Sequence, residues 1–476
     1  MTIYRYYALA CILFLSCYSY SLCDNNPSFD ENDVTIPSVV NDFSSVYSCF
    51  TNQMDEHGID HLIPSATAFA IHHSGVVVTC NHSLYGDSGI LYGYDGSRLP
   101  FELITRVPQY DLAFLRVANF SMSQISHLNV SPVLSRGESL CGIGVYREQL
   151  TSLYGKYEEI GSIISEDCIL EKILYVELDA IPGCSGGPVF DQSDKIVGVI
   201  QGRVFDKKFC GVIPSVYIEK ACREVMNLQT FLGLTIGLTI ETKNDGLYVT
   251  EVDPASDACA KGIKAGDRII AINKWHIANA IDFYLSEWAW GMERPQEMMP
   301  IQFISQGNDD VVLVDIALSK RIINCDSNIS RKKLKPGCPF SFEIINDHSS
   351  PFASFKPKCE GWTNQLEVAP LYKSRMVFYG YIEIPKDESY GFHLIIPGSG
   401  KLTIGSNFCV EKATPHPRMI VINRNFFEKG FHAFTLVVEP EEPLQLPYLY
   451  IDLTKDQKRA TPIPPSFIWG TDEQEL

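Results

Sequence analysis

The sequence predicts a mainly β protein, and three observations lead to this fold class. The chain has 476 residues, which corresponds to roughly three domains of ordinary size. Residues 76–82 form a β-branched run that ends in a histidine, and residues 110–117 open a second strand with an aspartate near its start, both of which are typical of buried strands. Residues 340–476 contain many short alternating runs and no helical period, which predicts a further all-β region.

The composition of the chain limits the kinds of molecule that it is expected to bind. The formal net charge is −18, and 45% of the residues are hydrophobic. This apolar content is enough for several hydrophobic cores. A strongly acidic chain is repelled by nucleic-acid phosphates and by anionic membrane surfaces. We therefore expect protein or peptide partners and no nucleic acid.

The N-terminus has the pattern of an export signal. A basic residue precedes an apolar run over residues 6–18, and the small residues Ser19 and Ser21 suit a signal-peptidase site. The run is shorter than the roughly 18 apolar residues that suggest a transmembrane helix. We predict a signal peptide over residues 1–23 and a mature protein in the periplasm, the cell envelope or the medium. Cys17 offers an alternative, a lipid-anchored N-terminus.

Cysteine usage fits an exported protein. The chain has 15 cysteines, and all except Cys11 and Cys17 lie at or beyond Cys23. Disulfides are expected in an oxidising compartment, although spacing does not give their connectivity. The sequence has no Cys-x-x-Cys pair and no zinc-like histidine spacing, so we predict no metal site and no cofactor.

The glycine-rich segment 183–188 carries the strongest chemical signal. It reads Gly-Cys-Ser-Gly-Gly-Pro and places Ser185 in a turn whose backbone N–H groups can face the same substrate atom as its hydroxyl. A serine hydroxyl becomes a good nucleophile only with a histidine base and a carboxylate that orients the histidine. His82 follows one predicted strand and Asp111 precedes another, so the sequence supplies both.

Each of these residues also has a plain structural interpretation. The segment 183–188 alone is compatible with an ordinary turn, His82 with a core histidine and Asp111 with a strand-end cap. The three motifs in this order favour catalysis instead. Ser185 would then attack the scissile carbonyl, His82 would accept and return its proton, and Asp111 would orient His82.

These segments resemble the HtrA/DegP family of trypsin-like serine proteases. That family carries Thr-Asn-Asn-His, Asp-Leu-Ala and Gly-Asn-Ser-Gly-Gly-Pro in this order, which is the order of chymotrypsin-type enzymes. Residues 210–215 resemble a further family segment, Gly-Phe-Ala-Ile-Pro-Ser. The resemblance implies a chymotrypsin-like double β-barrel over residues 35–228 and serine endopeptidase activity. It also implies an oxyanion hole formed by the backbone N–H groups of Gly183 and Ser185.

The chain departs from the family pattern near the nucleophile. Cys184 stands where the family has Asn or Asp, and residues 66–68 read Ala-Thr-Ala where Gly-Ser-Gly is common. Because trypsin-like enzymes often carry a disulfide in this region, one hypothesis is a disulfide between Cys184 and Cys210. Asp179 lies where such enzymes place the floor of the substrate pocket, but a solvated loop aspartate is the favoured alternative.

Residues 229–322 resemble a PDZ domain. A short helix with a serine cap and a glycine stop is predicted over residues 256–262, and residues 262–273 match the PDZ hallmark. A second helix is predicted around residues 278–290. The resemblance implies a loop whose N–H groups hold a peptide's C-terminal carboxylate while the peptide adds a strand to the sheet. This loop consists of Leu232, Gly233 and Leu234. The alternative is a domain that only packs on the protease and regulates it.

Residues 335–476 resemble the β-sandwich first described in anthrax protective antigen. Strands are predicted over residues 379–385, 389–394, 400–405, 430–438 and 448–453. Such domains often bind carbohydrate, but the paired aspartates that hold calcium in some sugar-binding members are absent from residues 400–410. A structural or partner-binding sandwich is therefore favoured over a glycan-binding one.

Two functions from different classes remain open. The first is an exported serine endopeptidase that cleaves envelope or extracellular proteins through an acyl-enzyme, with the PDZ domain recognising C-terminal segments. The second is a catalytically silent chaperone or adaptor that binds unfolded or partner proteins. The intact set of Ser185, His82 and Asp111 favours the first. The family resemblance also implies a homo-oligomer.

Overall fold

The computed structural model describes residues 43–471 with internal gaps, so the predicted signal peptide over residues 1–23 lies outside the described residues. The gaps are 55–59, 121–124, 126–127, 131, 147–148, 165–168, 205–208, 229–231, 244, 308–309, 321, 328, 345–357, 364–365, 367–373, 397, 406–407, 413–419, 441–447 and 453–460. Within the described part, no helix combines the length and apolarity needed to cross a bilayer.

Two closed six-stranded antiparallel barrels come first along the described chain. The first barrel contains β1 (Val46–Met54), β2 (Asp60–His72), β3 (Val76–Cys80), β4 (Ser88–Gly93), β5 (Arg98–Val107) and β6 (Leu112–Val117). The second contains β7 (Ser139–Tyr146), β8 (Gln149–Ile164), β9 (Ile169–Val176), β10 (Pro188–Phe190), β11 (Ile196–Arg203) and β12 (Cys210–Pro214). The predicted double barrel is confirmed.

The apolar run of β3 explains how the first barrel joins the rest of the molecule. Every residue of β3 is buried. Val77 faces the cluster inside the first barrel, whereas Val76 and Val78 belong to a larger cluster that continues into the second barrel and the next domain. A strand that is covered on both faces is expected to be continuously apolar. The end of β3, where His82 follows, is therefore rigidly held.

Helix α1 (Val216–Val225) follows the last strand of the second barrel, and a small α+β domain comes next. This domain contains β13 (Leu234–Thr235), β14 (Leu238–Lys243), β15 (Gly246–Val252), α2 (Asp257–Ala260), β16 (Arg268–Ile272), β17 (Trp275–His276), α3 (Ala280–Glu293), β18 (Met299–Ile304), β19 (Val311–Ile316) and β20 (Ser319–Lys320). Its main sheet has the order β14-β15-β16-β18-β19. Both predicted helices are present, and the Ser256 hydroxyl caps α2 by accepting from the N–H of Cys259 at 3.2 Å.

Two facing sheets make up the C-terminal part, as predicted. The chain here forms β21 (Lys335–Pro336), β22 (Cys338–Ile344), β23 (Lys358–Thr363), β24 (Ser374–Ile384), β25 (Glu388–Ile395), β26 (Gly398–Ile404), β27 (Phe408–Lys412), β28 (Ile420–Phe427), β29 (Gly430–Pro440), β30 (Tyr448–Asp452), β31 (Thr461–Pro462) and β32 (Ile468–Gly470). Strands β28, β25, β30 and β31 form one sheet, and the others form the second. The rings of Phe392 and Phe408 meet between the two sheets, with centroids 5.4 Å apart.

Strand β28 also lies against the protease part of the chain. It contacts α1 and the 3₁₀ helix Pro108–Tyr110, which immediately precedes Asp111. The segment leading into the sandwich is tied to the same strand, because the N–H of Ile323 donates to the carbonyl of Phe426 at 2.9 Å. The sandwich is thus packed onto the element that carries one of the candidate site residues.

Candidate active site

The structure brings His82 and Asp111 together at the rim of the first barrel. Nδ1 of His82 lies 2.7 Å from Oδ2 of Asp111, and the backbone N–H of His82 donates to Oδ1 at 2.9 Å. Asp111 is buried and ends the 3₁₀ helix in the left-handed region, with φ of 53°, which aspartate tolerates better than most residues. A carboxylate in this place fixes the tautomer and orientation of the imidazole.

Ser185 lies in a tight turn between the two barrels. Gly183 and Gly186 have φ of 103° and 87°, a region that favours glycine. A β-carbon on Gly186 would lie 2.1 Å from the carbonyl oxygen of Thr67, so the close approach of the two barrels requires glycine here. The N–H groups of Cys184, Gly186 and Gly187 donate to backbone carbonyls within and around the turn.

The Ser185 hydroxyl connects to Asp111 through a residue that the sequence analysis did not single out. Ser185 Oγ donates to the backbone carbonyl of Gln201 at 2.9 Å, and Nε2 of Gln201 donates to Oδ2 of Asp111 at 3.3 Å. A hydroxyl has one proton, so it cannot donate to Gln201 and to His82 at the same time. Rotation about one side-chain bond of Ser185 is needed to redirect it.

Thr67 is a second residue without a predicted role. Its hydroxyl donates to the carbonyl of Gly183 at 2.7 Å and accepts from the N–H of Val145 at 3.0 Å. Its own N–H donates to the carbonyl of Ser185 at 2.9 Å. Thr67, the middle residue of the Ala-Thr-Ala segment, therefore supplies a hydroxyl that links the first barrel to the nucleophile turn.

The hypothesis of a Cys184–Cys210 disulfide is wrong for this structure. Cys184 and Cys210 are both free, buried thiols. Cys184 Sγ is directed at the carbonyl of Val145 at 3.5 Å, and Cys210 Sγ at the carbonyl of Gly211 at 3.5 Å. Burial raises the pKa of both thiols, that of Cys210 to about 12, so they behave as small apolar core residues.

Three side chains near the turn carry atoms of the kind that bind metal ions. Cys80, His82 and Asp111 place one possible metal-ligand atom each within 4.8 Å of one another. However, Cys80 Sγ is directed at the carbonyl of Ile200 at 3.3 Å, and Oδ2 of Asp111 already faces Nδ1 of His82. His82 and Asp111 are therefore arranged as a proton-transfer pair.

Asp179, a candidate for the floor of the substrate pocket, is exposed. Its exposure agrees with the alternative of a solvated loop aspartate.

The predicted peptide-binding loop is packed against the C-terminal sandwich. Leu234 begins β13 and pairs with Lys320, and Leu232 is half-buried against the main core. Gly233 has φ of 64°, and a β-carbon on it would lie 2.7 Å from Cγ of Phe426. The structure therefore brings the loop together with β28.

Helix α3 attaches the same domain to the protease barrels. It packs against α1 and β2, and Nε2 of His72 lies 3.0 Å from the Ser286 hydroxyl. The neighbouring Glu287 is buried, and the N–H of Ile236 donates to its carboxyl group. Burial raises the pKa of Glu287 to about 8. The α+β domain is thus docked on the first barrel through a largely buried helix.

Comparison with known families defines the class of these domains. A model of the trypsin-like peptidase domain matches residues 66–199, and a model of the PDZ domain matches residues 224–282. The first match includes His82, Asp111 and Ser185. The chain therefore combines a trypsin-like peptidase domain with a PDZ domain, as the sequence predicted.

The relatives of the chain are HtrA- and DegP-type serine proteases. It is 29% identical over 310 residues to a probable periplasmic serine endoprotease DegP-like of Bartonella henselae, covering 60% of this chain and 57% of the relative. It is 24% identical over 228 residues to the serine protease Do-like HtrA of Bacillus subtilis, covering 41% and 50%. The chain spans about half the length of these curated relatives. A solved structure titled HtrA-type protease AlgW with decapeptide is 18% identical, with a TM-score of 0.36, covering 60% of this chain and 97% of that chain.

Proposed function

We propose that this chain is an exported serine endopeptidase that hydrolyses peptide bonds of envelope or extracellular proteins. The observation that supports this most is the 2.7 Å contact between Nδ1 of His82 and Oδ2 of Asp111, beside the glycine-rich turn that carries Ser185. Export rests on the N-terminal sequence pattern and on the relatives that are named as periplasmic. A homo-oligomer, a lipid anchor and a glycan ligand stay predictions.

The reaction begins when the Ser185 hydroxyl turns from Gln201 toward Nε2 of His82. His82 takes the proton as Oγ attacks the scissile carbonyl, and the Asp111 carboxylate stabilises the imidazolium. The proton then passes to the leaving amine, which breaks the C–N bond and leaves an acyl group on Ser185. Water, deprotonated by the same imidazole, hydrolyses this ester and restores the hydroxyl.

The oxyanion of each tetrahedral intermediate needs donors that are fixed in advance. The turn uses the N–H groups of Cys184, Gly186 and Gly187 for its own backbone hydrogen bonds. We assign the N–H groups of Gly183 and Ser185 to the oxyanion. The loss of one such donor typically costs about 3 kcal/mol of transition-state stabilisation. The positive φ of Gly183 supports this assignment, because it sets the direction of the neighbouring peptide units.

The PDZ domain is proposed to recognise C-terminal segments of substrates or partners. The backbone N–H groups of Leu232, Gly233 and Leu234 would hold the terminal carboxylate. Strand β14 is an edge of the main PDZ sheet and lies beside α3, so an added peptide strand has a free edge to join. The close contact of Gly233 with Phe426 means that such a peptide enters beside the sandwich.

A catalytically silent chaperone or adaptor is the second candidate, and one observation favours it. The hydroxyl of Ser185 donates its one proton to the backbone carbonyl of Gln201. If this arrangement persists with substrate bound, the serine is not activated.

One experiment separates the two candidates. Purified full-length protein is incubated with casein and, separately, with a fluorophosphonate probe that labels activated serines. An endopeptidase cleaves casein and is labelled at Ser185, and the Ser185→Ala variant does neither. Ser135→Ala, which changes an exposed serine, is the matched control and should behave as the wild type. An unlabelled, correctly folded wild type would support the silent chaperone or adaptor.

A further inference from the structure

The loop that carries His82 connects β3 to β4 over residues 81–87. The N–H of Leu84 donates to the carbonyl of Asn81 at 3.2 Å, so that His82 lies inside a tight turn. The N–H of Asn81 donates to the backbone carbonyl of Asp111 at 3.0 Å, and the N–H of His82 donates to Oδ1 of Asp111 at 2.9 Å. The place of the imidazole beside the Asp111 carboxylate therefore depends on the backbone of this loop, which we call the His82 loop.

The half-buried side chain of Arg106 contacts the His82 loop at both of its ends. Nη1 of Arg106 donates to the carbonyl of Leu84 at 3.0 Å and to Oδ1 of Asn81 at 3.2 Å, and it lies 3.5 Å from the carbonyl of Asn81. Nη2 donates to the carbonyl of Gly86 at 3.2 Å and to Oδ1 of Asp87 at 3.3 Å. One guanidinium thus binds the residue just before His82 and the last residues before β4.

Arg106 belongs to the strand that leads to Asp111. It lies near the end of β5, and the 3₁₀ helix Pro108–Tyr110 connects β5 to Asp111. The backbone of Arg106 pairs with Ala113 on β6, just beyond Asp111. The backbone of Arg106 is therefore fixed in the hairpin that carries the carboxylate, while its side chain binds the loop that carries the imidazole.

We propose that Arg106 is a positioning residue, which fastens the His82 loop to the hairpin of Asp111 and so holds the imidazole against the carboxylate. This inference rests on the proposed function. A guanidinium presents its N–H donors in one rigid plane, so that several simultaneous contacts restrict both translation and rotation of the loop. Hydrogen bonds from a charged donor are also stronger than neutral ones.

The contacts with the loop's carbonyl and amide oxygens carry this role more than the ion pair does. The side chains of Arg106 and Asp87 are 29% and 31% exposed, and an ion pair with this access to water contributes little by itself. The carbonyls of Leu84 and Gly86 lie in a loop, where no neighbouring strand supplies a donor in the way that a sheet does. The planar group of Arg106 supplies these donors.

Arg106→Lys tests the role because it keeps the positive charge and removes the planar group. An ammonium is a compact donor on a flexible stem and cannot reach all these acceptors at once. We expect kcat to fall about ten- to hundred-fold with little change in KM, because a misplaced base slows proton transfer without weakening substrate binding. Arg98→Lys, at an exposed arginine on the same strand, is the matched control and should keep the wild-type kcat.

The pH profile of kcat/KM distinguishes positioning from a merely structural role. Its acid limb reports protonation of the base in the free enzyme. A carboxylate close to the imidazole favours the protonated base, so a looser contact between His82 and Asp111 should move this limb to lower pH in Arg106→Lys. The limb should not move in Arg98→Lys. Since both substitutions keep the charge, such a move reports geometry.

A second readout does not depend on turnover. In the Ser185→Ala background, the proton between His82 and Asp111 gives a low-field NMR resonance, which should broaden or shift when Arg106→Lys is added. Melting curves establish that each variant is folded. If Arg106→Lys does not fold, Arg106→Gln, whose amide can still donate to part of the loop, replaces it with the same resonance as the readout.

Two results would overturn the positioning role. One is an unchanged resonance in a folded variant, and the other is a fall in kcat of Arg106→Lys without any move of the acid limb. If the wild type does not hydrolyse peptides, the proposed function fails, and the resonance still decides the role of Arg106.

Discussion

Phe426 lies against Gly233, because a β-carbon on this glycine would lie 2.7 Å from Cγ of the phenylalanine and equally close to Cγ2 of Ile322. Gly233 belongs to the loop that we assign to peptide carboxylates, and Phe426 belongs to β28 of the C-terminal sandwich. The two domains therefore meet at the loop itself.

We expect Phe426→Ala to bind free C-terminal peptides more tightly than the wild type. Truncation removes the ring that lies beside Gly233, which should leave more room at the loop for a terminal carboxylate. Isothermal titration with a peptide of free C-terminus and with its C-terminal amide measures the effect, which should be at least several-fold and confined to the free acid. The control Phe431→Ala removes another half-buried phenylalanine of the sandwich, one that packs on Trp469. Equal affinities in Phe426→Ala and Phe431→Ala would contradict the prediction.

Gly186→Ala should abolish the active fold of the nucleophile turn. The new β-carbon would lie 2.1 Å from the carbonyl oxygen of Thr67 and 2.3 Å from the Thr79 hydroxyl, in addition to the cost of a positive φ. Gly137→Ala has a similar φ of 84° but no atom within 4 Å, so it isolates the backbone cost of about 1–2 kcal/mol. Urea unfolding and fluorophosphonate labelling check both variants. A labelled Gly186→Ala protein of wild-type stability would disprove the argument.

Glu287→Gln should stabilise the protein at alkaline pH and change little at acidic pH. The folded-state pKa of about 8 lies above the ordinary value of 4.5, so the folded state favours the protonated carboxyl. Its contribution to stability is fully present below about pH 4.5 and is lost as the pH rises through 8. A neutral amide avoids this loss, which amounts to about 2–5 kcal/mol at pH 9. Urea unfolding at pH 5 and pH 9 tests this, with exposed Glu251→Gln as control. Parallel pH dependence in wild type and Glu287→Gln would refute it.

Tyr110→Phe should lower both stability and kcat. The Tyr110 hydroxyl donates to the Glu224 carboxyl group at 2.9 Å, and burial raises the pKa of Glu224. Removing this donor takes one hydrogen bond from a half-buried carboxyl group, which costs about 1–3 kcal/mol. Because Tyr110 directly precedes Asp111, the loosened helix also disturbs the carboxylate. Melting curves and kcat measure the two effects. Tyr94→Phe, at a side chain that is 72% exposed, should change neither.

Much of the fold could be predicted because its strands, turns and helix ends are determined by residues that are close together in the sequence. The apolar run of β3 places His82 at the end of a buried strand, and the glycines around Ser185 are required by positive φ and close approach. The caps of α2 and α3 are likewise short-range interactions. Such features depend on a few neighbouring residues, so they can be inferred from a single sequence.

The parts that escaped prediction depend on residues that are distant in sequence. The contribution of Gln201 comes from a register shift in β11, which leaves no mark in the residue pattern. The contact between Phe426 and Gly233 needs the packing of two domains. The disulfide hypothesis was wrong because a cysteine in a buried strand has the same sequence signal whether it pairs or packs as an apolar residue.

The contact of β28 with the 3₁₀ helix affects how much of the chain the proposed activity requires. A chain shortened after the PDZ domain keeps every residue of the proposed triad, yet it exposes to water the surface that supports Asp111. The smallest fragment that retains the proposed activity is therefore expected to include the C-terminal sandwich. Gain or loss of this domain during evolution would then change the proposed active site, because the domain supports Asp111.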